Sequence, residues 1–349
     1  MQQLHGRIVG RVGLTQKPPI KMADLAKLAG VSKSTVSRAL ADSPLIPQET
    51  KQKIAALAKE HNYRLNKRAR NFRTKETLTI AVLIPDTREK DWRLSDPFFL
   101  ELLGSIADTL NDQNHELLLA KSSVSAEEWA RDHIERGTCD GVILVGQGTQ
   151  HEEINKLAEG STPFVVWGGL LDGQHYCTVG SDNRLGGKKA SSHLIERGRR
   201  HIAFLGDRRL PEVALRYAGY QDALAAAGLD VDASLEVVTP FGGEAAYRAV
   251  ADFLDSGQAV DGIFACSDVI AMATIRALRE RGLSIPEDVA IVGYDDIALS
   301  SYYSPPLTTV RQDCQRGGQE LVSRLLEIIQ GGKPAPLMLD TEIVERAST

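Results

Sequence analysis

From Thr77 onward the chain alternates short apolar runs with amphipathic stretches, in two successive series. In the first, TLTIAVLIP (77–85), HELLLAKS (115–122), CDGVILVG (139–146) and PFVVWGG (163–169) have the character of strands. Pro97–Asp112, Ala126–Arg136 and His151–Glu159 follow the first three with helical spacing. In the second, HIAFLG (201–206), LEVVTP (235–240), VDGIFAC (260–266) and DVAIVGY (288–294) are the strand-like runs. The helical stretches there are Gly187–Arg197, Arg216–Ala227, Glu244–Leu254 and Val269–Arg281. Parallel strands need a crossover, and a helix supplies it, so this alternation predicts parallel sheets covered on both faces. Two series predict two lobes, each an open α/β sheet. Such sheets take ligands beyond the carboxyl ends of their strands, which puts a site in the cleft between facing lobes.

Other features narrow the function classes. Of 349 residues, 42% are hydrophobic and 25% charged, the profile of an ordinary globular protein of two or three domains. No run of 18 apolar residues is present, so no membrane span is expected, and the N-terminus lacks the apolar core of a secretory signal. Cys139, Cys177, Cys266 and Cys314 lie far apart, which suits free thiols in a cytoplasmic protein and offers neither a metal site nor a disulfide framework. GxGxxG after a strand, GxxxxGK[ST], GxSxG and HExxH are all missing, so an enzyme on this scaffold is disfavoured and no cofactor or metal is expected. The Gly-Gly pairs at 168–169, 186–187, 242–243 and 317–318 lack phosphate-loop spacing and read as turns. Asp295-Asp296 follows a strand as either a chemical carboxylate pair or a strand-end turn.

The charge is unevenly distributed. Residues 1–75 hold 16 Lys and Arg against 4 Asp and Glu, a net +12, while the remainder carries 25 against 42, a net −17. One end is suited to a polyanion and the body is not. Within that end, residues 1–20 show no period and read as a disordered extension; Met22 is an alternative start. Leu25, Ala26 and Ala29 then recur at helical spacing until Gly30 breaks the run. Ser32 stands as an N-cap before Val36, Ala39 and Leu40, and the opposite face carries Lys33, Ser34, Ser37 and Arg38. A third helix is expected to begin at Pro47, with Ile54, Leu57, Ala58 and His61 inward. Three short helices with a glycine turn between the first two make a helix-turn-helix, whose second helix presents a short, cationic face suited to a major groove. Asn62 to Arg73 follows as a basic stretch around Phe72, either a linker or a segment that folds on DNA and wedges its ring into a minor groove.

VSKSTVSRAL from Val31, with Tyr63-Arg64 and the Asn66–Thr74 stretch, resembles the lactose/galactose/purine repressor (LacI/GalR) family. VGSDNRLGG from Val179, SDVIAMATIRAL from Ser267, SIPEDVAIVGYDD from Ser284 and SPPLTTVRQD from Ser304 extend the likeness from Lys21 to the end. The resemblance implies that Lys33, Ser34 and Arg38 face bases while Thr35 and Ser37 hold phosphates. It makes residues 66–73 a hinge helix in the minor groove, with Asn66, Ala69, Arg70 and Phe72 on the DNA. Phe72 stands where leucine is usual, and Lys67-Arg68 where smaller or apolar residues are. The body is implied to be a sensor similar to periplasmic sugar-binding proteins. Arg216 matches the family's sugar-binding arginine, Asp295 its hydroxyl-holding aspartate, and Phe99 and Phe241 its aromatic positions. Ser267 replaces a common asparagine and Asp268 follows it; Trp167 replaces a polar strand ending, and 87–95 is an insertion that is either a cleft lid or a surface loop.

The expected organisation is an extension (1–20), a helix-turn-helix (21–65), a hinge (66–75) and a sensor (76–349). Within the sensor, one lobe spans about 77–179 and 313–338 and the other about 180–312 and 339–349. The expected function is a cytoplasmic, homodimeric repressor of sugar-utilisation genes, bound to a palindromic double-stranded operator and released by a small sugar, with a glucoside or oligosaccharide hinted at by the extra aromatics. A corepressor-dependent regulator uses the same residues, and a sugar-binding protein without a DNA role is the competing class.

Overall fold

The computed structural model describes residues 20–40, 42–61, 63, 76–85, 95–122 and 124–349. The chain divides into two compact units, Met1–Lys75 and Glu76–Thr349. In the first unit, α1 (Met22–Ala29), α2 (Lys33–Leu40) and α3 (Gln48–Glu60) close around Leu25, Ala26, Ala29, Val36, Ala39, Ile54 and Ala58. Gly30 ends α1 at φ 72°, a left-handed backbone that glycine adopts without a Cβ penalty. The Ser32 hydroxyl accepts from the Thr35 amide at 3.1 Å and so caps α2. Pro47 precedes α3 as its cap instead of beginning it, and His61 caps the far end, half-buried.

The second unit contains two six-stranded sheets. Strands β1 (Thr79–Pro85), β2 (Glu116–Ser122), β3 (Gly141–Val145), β4 (Phe164–Trp167), β5 (Thr178–Ser181) and β11 (Leu337–Leu339) form the first, in the order β11-β5-β4-β3-β1-β2, with every pair parallel. The second, in the order β12-β10-β9-β8-β6-β7, contains β6 (Ile202–Leu205), β7 (Glu236–Val237), β8 (Gly262–Ala265), β9 (Ala290–Asp295), β10 (Thr308–Arg311) and β12 (Glu342–Val344). Only its edge strand β12 runs antiparallel.

Period-2 alternation explains the layering. On β1, Ile80, Val82 and Ile84 pack with Leu102, Ile106 and Leu110 of α4 (Pro97–Asp112), whereas Ala81 and Leu83 join the core under α5 (Ala126–Glu135) and α6 (His151–Ala158). The second sheet is flanked by α7 (Asn183–Glu196), α8 (Pro211–Ala226), α9 (Gly243–Asp255) and α10 (Asp268–Glu280). Helix α11 (Cys314–Ile329) leaves the second sheet and buries Leu321, Val322 and Leu325 against the first. The chain thus passes between the sheets three times, after β5, after β10 and between β11 and β12.

Two of the Gly-Gly pairs named above correct the expectation of turns: 186–187 lies inside α7 and 317–318 inside α11. A Cβ on Gly187 would sit 2.0 Å from the Arg216 carbonyl oxygen, and one on Gly186 2.2 Å from the Tyr294 hydroxyl. On Gly317 it would meet the Trp167 ring at 2.5 Å. These glycines are contact points between elements. Helix α7 accordingly starts at Asn183, capped by the Asp182 carboxylate on the Leu185 amide at 2.9 Å, four residues earlier than periodicity suggests. Helix α8 likewise begins at Pro211 instead of Arg216.

Candidate functional site

In the first unit, α2 exposes Lys33, Ser34 and Arg38, with Thr35 and Ser37 half-buried beside them. The Ser34 hydroxyl meets that of Ser32 at 2.7 Å. On α3, Lys51 pairs with Asp42 at 2.7 Å and Lys53 donates to the Ala29 carbonyl at 3.1 Å, which ties these cations to the fold. Among the described residues, Lys33 and Arg38 have no such ion pair. Asn66, Ala69, Arg70 and Phe72, like residues 87–94 of the insertion, lie outside the described residues.

In the second unit the carboxyl ends of strands from both sheets open on one narrow cleft of about 70 Å³. Asp96, Phe98, Phe99, Gly146, Gly148 and Trp167 line it from the first sheet's side, and Leu210, Glu212, Val213, Arg216, Phe241 and Asp295 from the second's, with Gln312 between. Asp96 caps α4 by accepting from the Phe98 amide at 3.0 Å, which fixes the turn that presents both phenylalanines. The Phe98 ring stands edge-on to Phe99 at 5.6 Å and tilted against Trp167 at 6.0 Å.

Arg216 and Asp295 form the polar floor, both nearly buried, with nitrogen and oxygen 3.9 Å apart. The Arg216 Nε donates to Asn183 Oδ1 at 2.8 Å, an Nη donates to the Cys266 carbonyl at 2.5 Å, and the guanidinium lies 3.7 Å above the Tyr294 ring. Asp295 accepts from Gln312 Nε2 at 2.7 Å and sits at φ 114°, a backbone cost found where structure holds a side chain in place. Burial raises its carboxyl well above the usual range, with Asp268 and Asp96 adding to the effect and Arg216 opposing it. Asp296 turns the other way and accepts from Arg311 at 2.7 Å and Arg346 at 2.6 Å. The carboxylate pair is therefore a strand-end turn whose two side chains part ways.

Of the seven positions expected at the ligand, Phe99, Trp167, Arg216, Phe241 and Asp295 line the cleft. Ser267 and Asp268 do not, a correction to the sequence expectation. The Ser267 hydroxyl caps α10 on the Ile270 amide at 3.3 Å. Asp268 is wholly buried and accepts from the Ile297 amide (3.0 Å), the Ser300 hydroxyl (2.6 Å) and the Thr309 hydroxyl (2.5 Å). Sequence reasoning missed Asp96, Glu212 and Gln312. Asp96 was signalled by its position before Pro97, as a cap; Glu212 and Gln312 sit in runs whose local pattern says only helix start and loop. Among the described residues, no group of three or more His, Cys, Asp and Glu is arranged to hold a metal. No described helix is long and apolar enough to cross a membrane.

Comparison with known proteins agrees with this geometry. Residues 21–66 match the model of bacterial regulatory proteins of the lacI family, and residues 191–349 that of the periplasmic binding protein-like domain. The HTH-type transcriptional regulator CelR of Thermobifida fusca is 31% identical over 339 residues, 95% of this chain and 98% of the relative. AscG of Escherichia coli (strain K12), also an HTH-type transcriptional regulator, is 32% identical over 90% of this chain and 94% of its own length. The solved CelR–cellobiose complex superposes with a TM-score of 0.71 at 29% identity over 95% of this chain and 100% of that one. The lac repressor dimer bound to operator, at 24% identity, shares the fold with a TM-score of 0.84 over 95% and 99%. The chain belongs to the lacI family of bacterial regulatory proteins and is a helix-turn-helix transcriptional regulator.

Proposed function

We propose that this regulator binds a palindromic double-stranded operator as a cytoplasmic homodimer and is released from it when a small sugar fills the cleft of the second unit. The helix-turn-helix (21–65) reads bases with Lys33, Ser34 and Arg38 and holds phosphates with Thr35 and Ser37. The hinge (66–75) adds Asn66, Ala69, Arg70 and the Phe72 wedge. The sensor (76–349) holds the sugar's hydroxyls on Arg216 and Asp295 and covers its apolar faces with Phe99, Trp167 and Phe241. The observation that carries this reading is the Arg216–Asp295 pair, 3.9 Å apart and walled by aromatic rings. A relative solved with cellobiose supports a glucoside or short oligosaccharide as the effector class.

The reading is tested by gel-shift with the DNA upstream of the gene, titrated with sugars that raise the chain's melting temperature. Wild type is expected to leave the operator at saturating sugar, by about 5–150-fold in affinity. Asp295→Ala should bind operator and ignore sugar. An Asp295→Ala chain that responds like wild type overturns the cleft assignment, and a sugar that tightens operator binding overturns the inducer direction.

A further inference from the structure

We infer that the cleft selects an uncharged sugar over its phosphorylated or otherwise anionic counterpart, and that Glu212 is the residue that sets this choice. The inference rests on the reading of the cleft as a sugar site.

Among the described residues, the lining holds three carboxyl groups, Asp96, Glu212 and Asp295, each shifted upward by burial, against one cation, Arg216. That cation is partly engaged. Asn183 and the Cys266 carbonyl take two of its five N–H groups, the Tyr294 ring lies beneath it, and Asp295 stands 3.9 Å away. A phosphate offers only acceptors at neutral pH, and here its two negative charges would have a single, already shared guanidinium to meet them. A hydroxyl is different: it donates to a carboxylate in a charge-assisted bond.

Helix N-termini are the other place a phosphate finds donors, and here they are pre-empted. Helices α4 and α8 both open on the cleft, and both have proline as the first residue, which removes one amide. Asp96 already takes the Phe98 amide at the start of α4. Glu212 stands in the first turn of α8, where its side chain occupies the favourable end of the helix dipole. An outer vestibule adjoins the cleft through Asp96, Phe99 and Phe241, and there α9 begins with Glu244 in its first turn. Glu244 is only loosely offset, by Arg248 and Arg276, each at 3.6 Å.

Glu212 is distinguished among these carboxyl groups because its bonds are to backbone amides, its own and that of Gln147. Its contact across the cleft is the Gln147 amide, long at 3.4 Å, while Asp96 caps a helix and Asp295 receives Gln312. Its side chain lines the cleft, where a carboxyl oxygen can accept from a sugar hydroxyl. A consequence follows for metabolism: the effector reaches this regulator before any phosphoryl transfer to it, as a product of uptake or glycoside hydrolysis without phosphorylation.

The test is isothermal titration calorimetry of the full chain with cellobiose, gentiobiose and glucose, and with cellobiose 6′-phosphate and glucose 6-phosphate. A neutral sugar is expected to bind at least about tenfold more tightly than its phosphate, because a phosphate must be stripped of water in a site that returns one shared cation. Glu212→Gln, which keeps the side chain's size, should narrow that gap by about tenfold or more. A phosphorylated sugar that binds as tightly as the neutral one overturns the inference and leaves the sugar-site reading intact. An unchanged gap in Glu212→Gln overturns the role of Glu212. If none of these sugars, neutral or phosphorylated, binds, the sugar-site reading itself falls.

Discussion

Asp268→Ala tests whether that carboxyl is a structural hub or a ligand contact. It is wholly buried and receives the Ile297 amide, the Ser300 hydroxyl and the Thr309 hydroxyl at 3.0, 2.6 and 2.5 Å. Truncation strands a backbone N–H, at about 1–3 kcal/mol, and two buried hydroxyls, which rotate and recover part of their cost. The sum is about 3–5 kcal/mol, a large share of a typical domain stability of about 5–15 kcal/mol. The pH dependence gives a second handle. Burial lifts this carboxyl from its ordinary 3.8 to about 7, against the pull of its three donors. The folded chain then binds this proton more tightly than the unfolded one. The stability it lends is fully present below pH 3.8, is lost as pH rises toward about 7, and is level above that. Asp268→Asn carries no such proton, so its stability relative to wild type should improve as pH rises through that window. Urea unfolding at pH 5 and pH 8 measures both effects. An Asp268→Ala chain that loses less than about 1 kcal/mol but stops responding to sugar would refute the hub assignment.

Three further outcomes follow. Arg216→Lys should weaken sugar binding by about 10–100-fold in calorimetry, because an ammonium cannot bridge Asn183 and the Cys266 carbonyl while stacking on Tyr294; an unchanged affinity would remove Arg216 from the site. Gly187→Ala gains about 1 kcal/mol of helix propensity, yet its Cβ meets the Arg216 backbone carbonyl at 2.0 Å, so thermal unfolding should show a net loss of about 1–3 kcal/mol. A stabilised variant would mean that α7 and α8 separate freely. Arg38→Ala should cost about 1–3 kcal/mol at the cognate operator and flatten preference at one or two base pairs, whereas an equal loss on random DNA would assign Arg38 to the phosphates.

Periodicity reveals the core of each lobe because core strands and helices carry strong apolar repeats. Pro97–Asp112 is legible to the residue, for Asp96 and Pro97 mark its start. Strands β5, β10, β11 and β12 escape notice: TVGS, TTVR and EIV lack the unbroken apolar run that marks β4, β6 and β8, and LML is only three residues long. Helix α11 was hidden by Gly317-Gly318, which looks like a break in sequence. In space those glycines let Trp167 and Ser105 approach the helix closely. Function was legible differently. Arg216, Asp295, Phe99, Phe241 and Trp167 stood out through family resemblance and do line one cleft. Asp268 misled because sequence cannot show which way a buried carboxylate turns: its donors come from residues 29 to 41 positions away.

The polar anchors of the cleft are also the residues best connected to the crossings between lobes. Asn183 follows β5 where the chain first leaves the first sheet, and it accepts from Arg216 at 2.8 Å. Gln312 lies between β10 and α11, where the chain returns, and it donates to Asp295 at 2.7 Å. Each anchor is thus one hydrogen bond from a crossing segment. Across the cleft, Gln147 faces Glu212, and a Cβ on Gly169 would fall 2.6 Å from Leu215, so the lobes touch where the two anchors converge. A ligand shifts a conformational equilibrium only by its differential contacts with the two arrangements. One that touches Phe99 and Trp167 on one lobe and Arg216, Glu212 and Asp295 on the other has such contacts by construction, since lobe displacement alters one set relative to the other. The anchors' bonds to Asn183 and Gln312 put both crossings one hydrogen bond from such a ligand, so a change in lobe arrangement is expected to register there first.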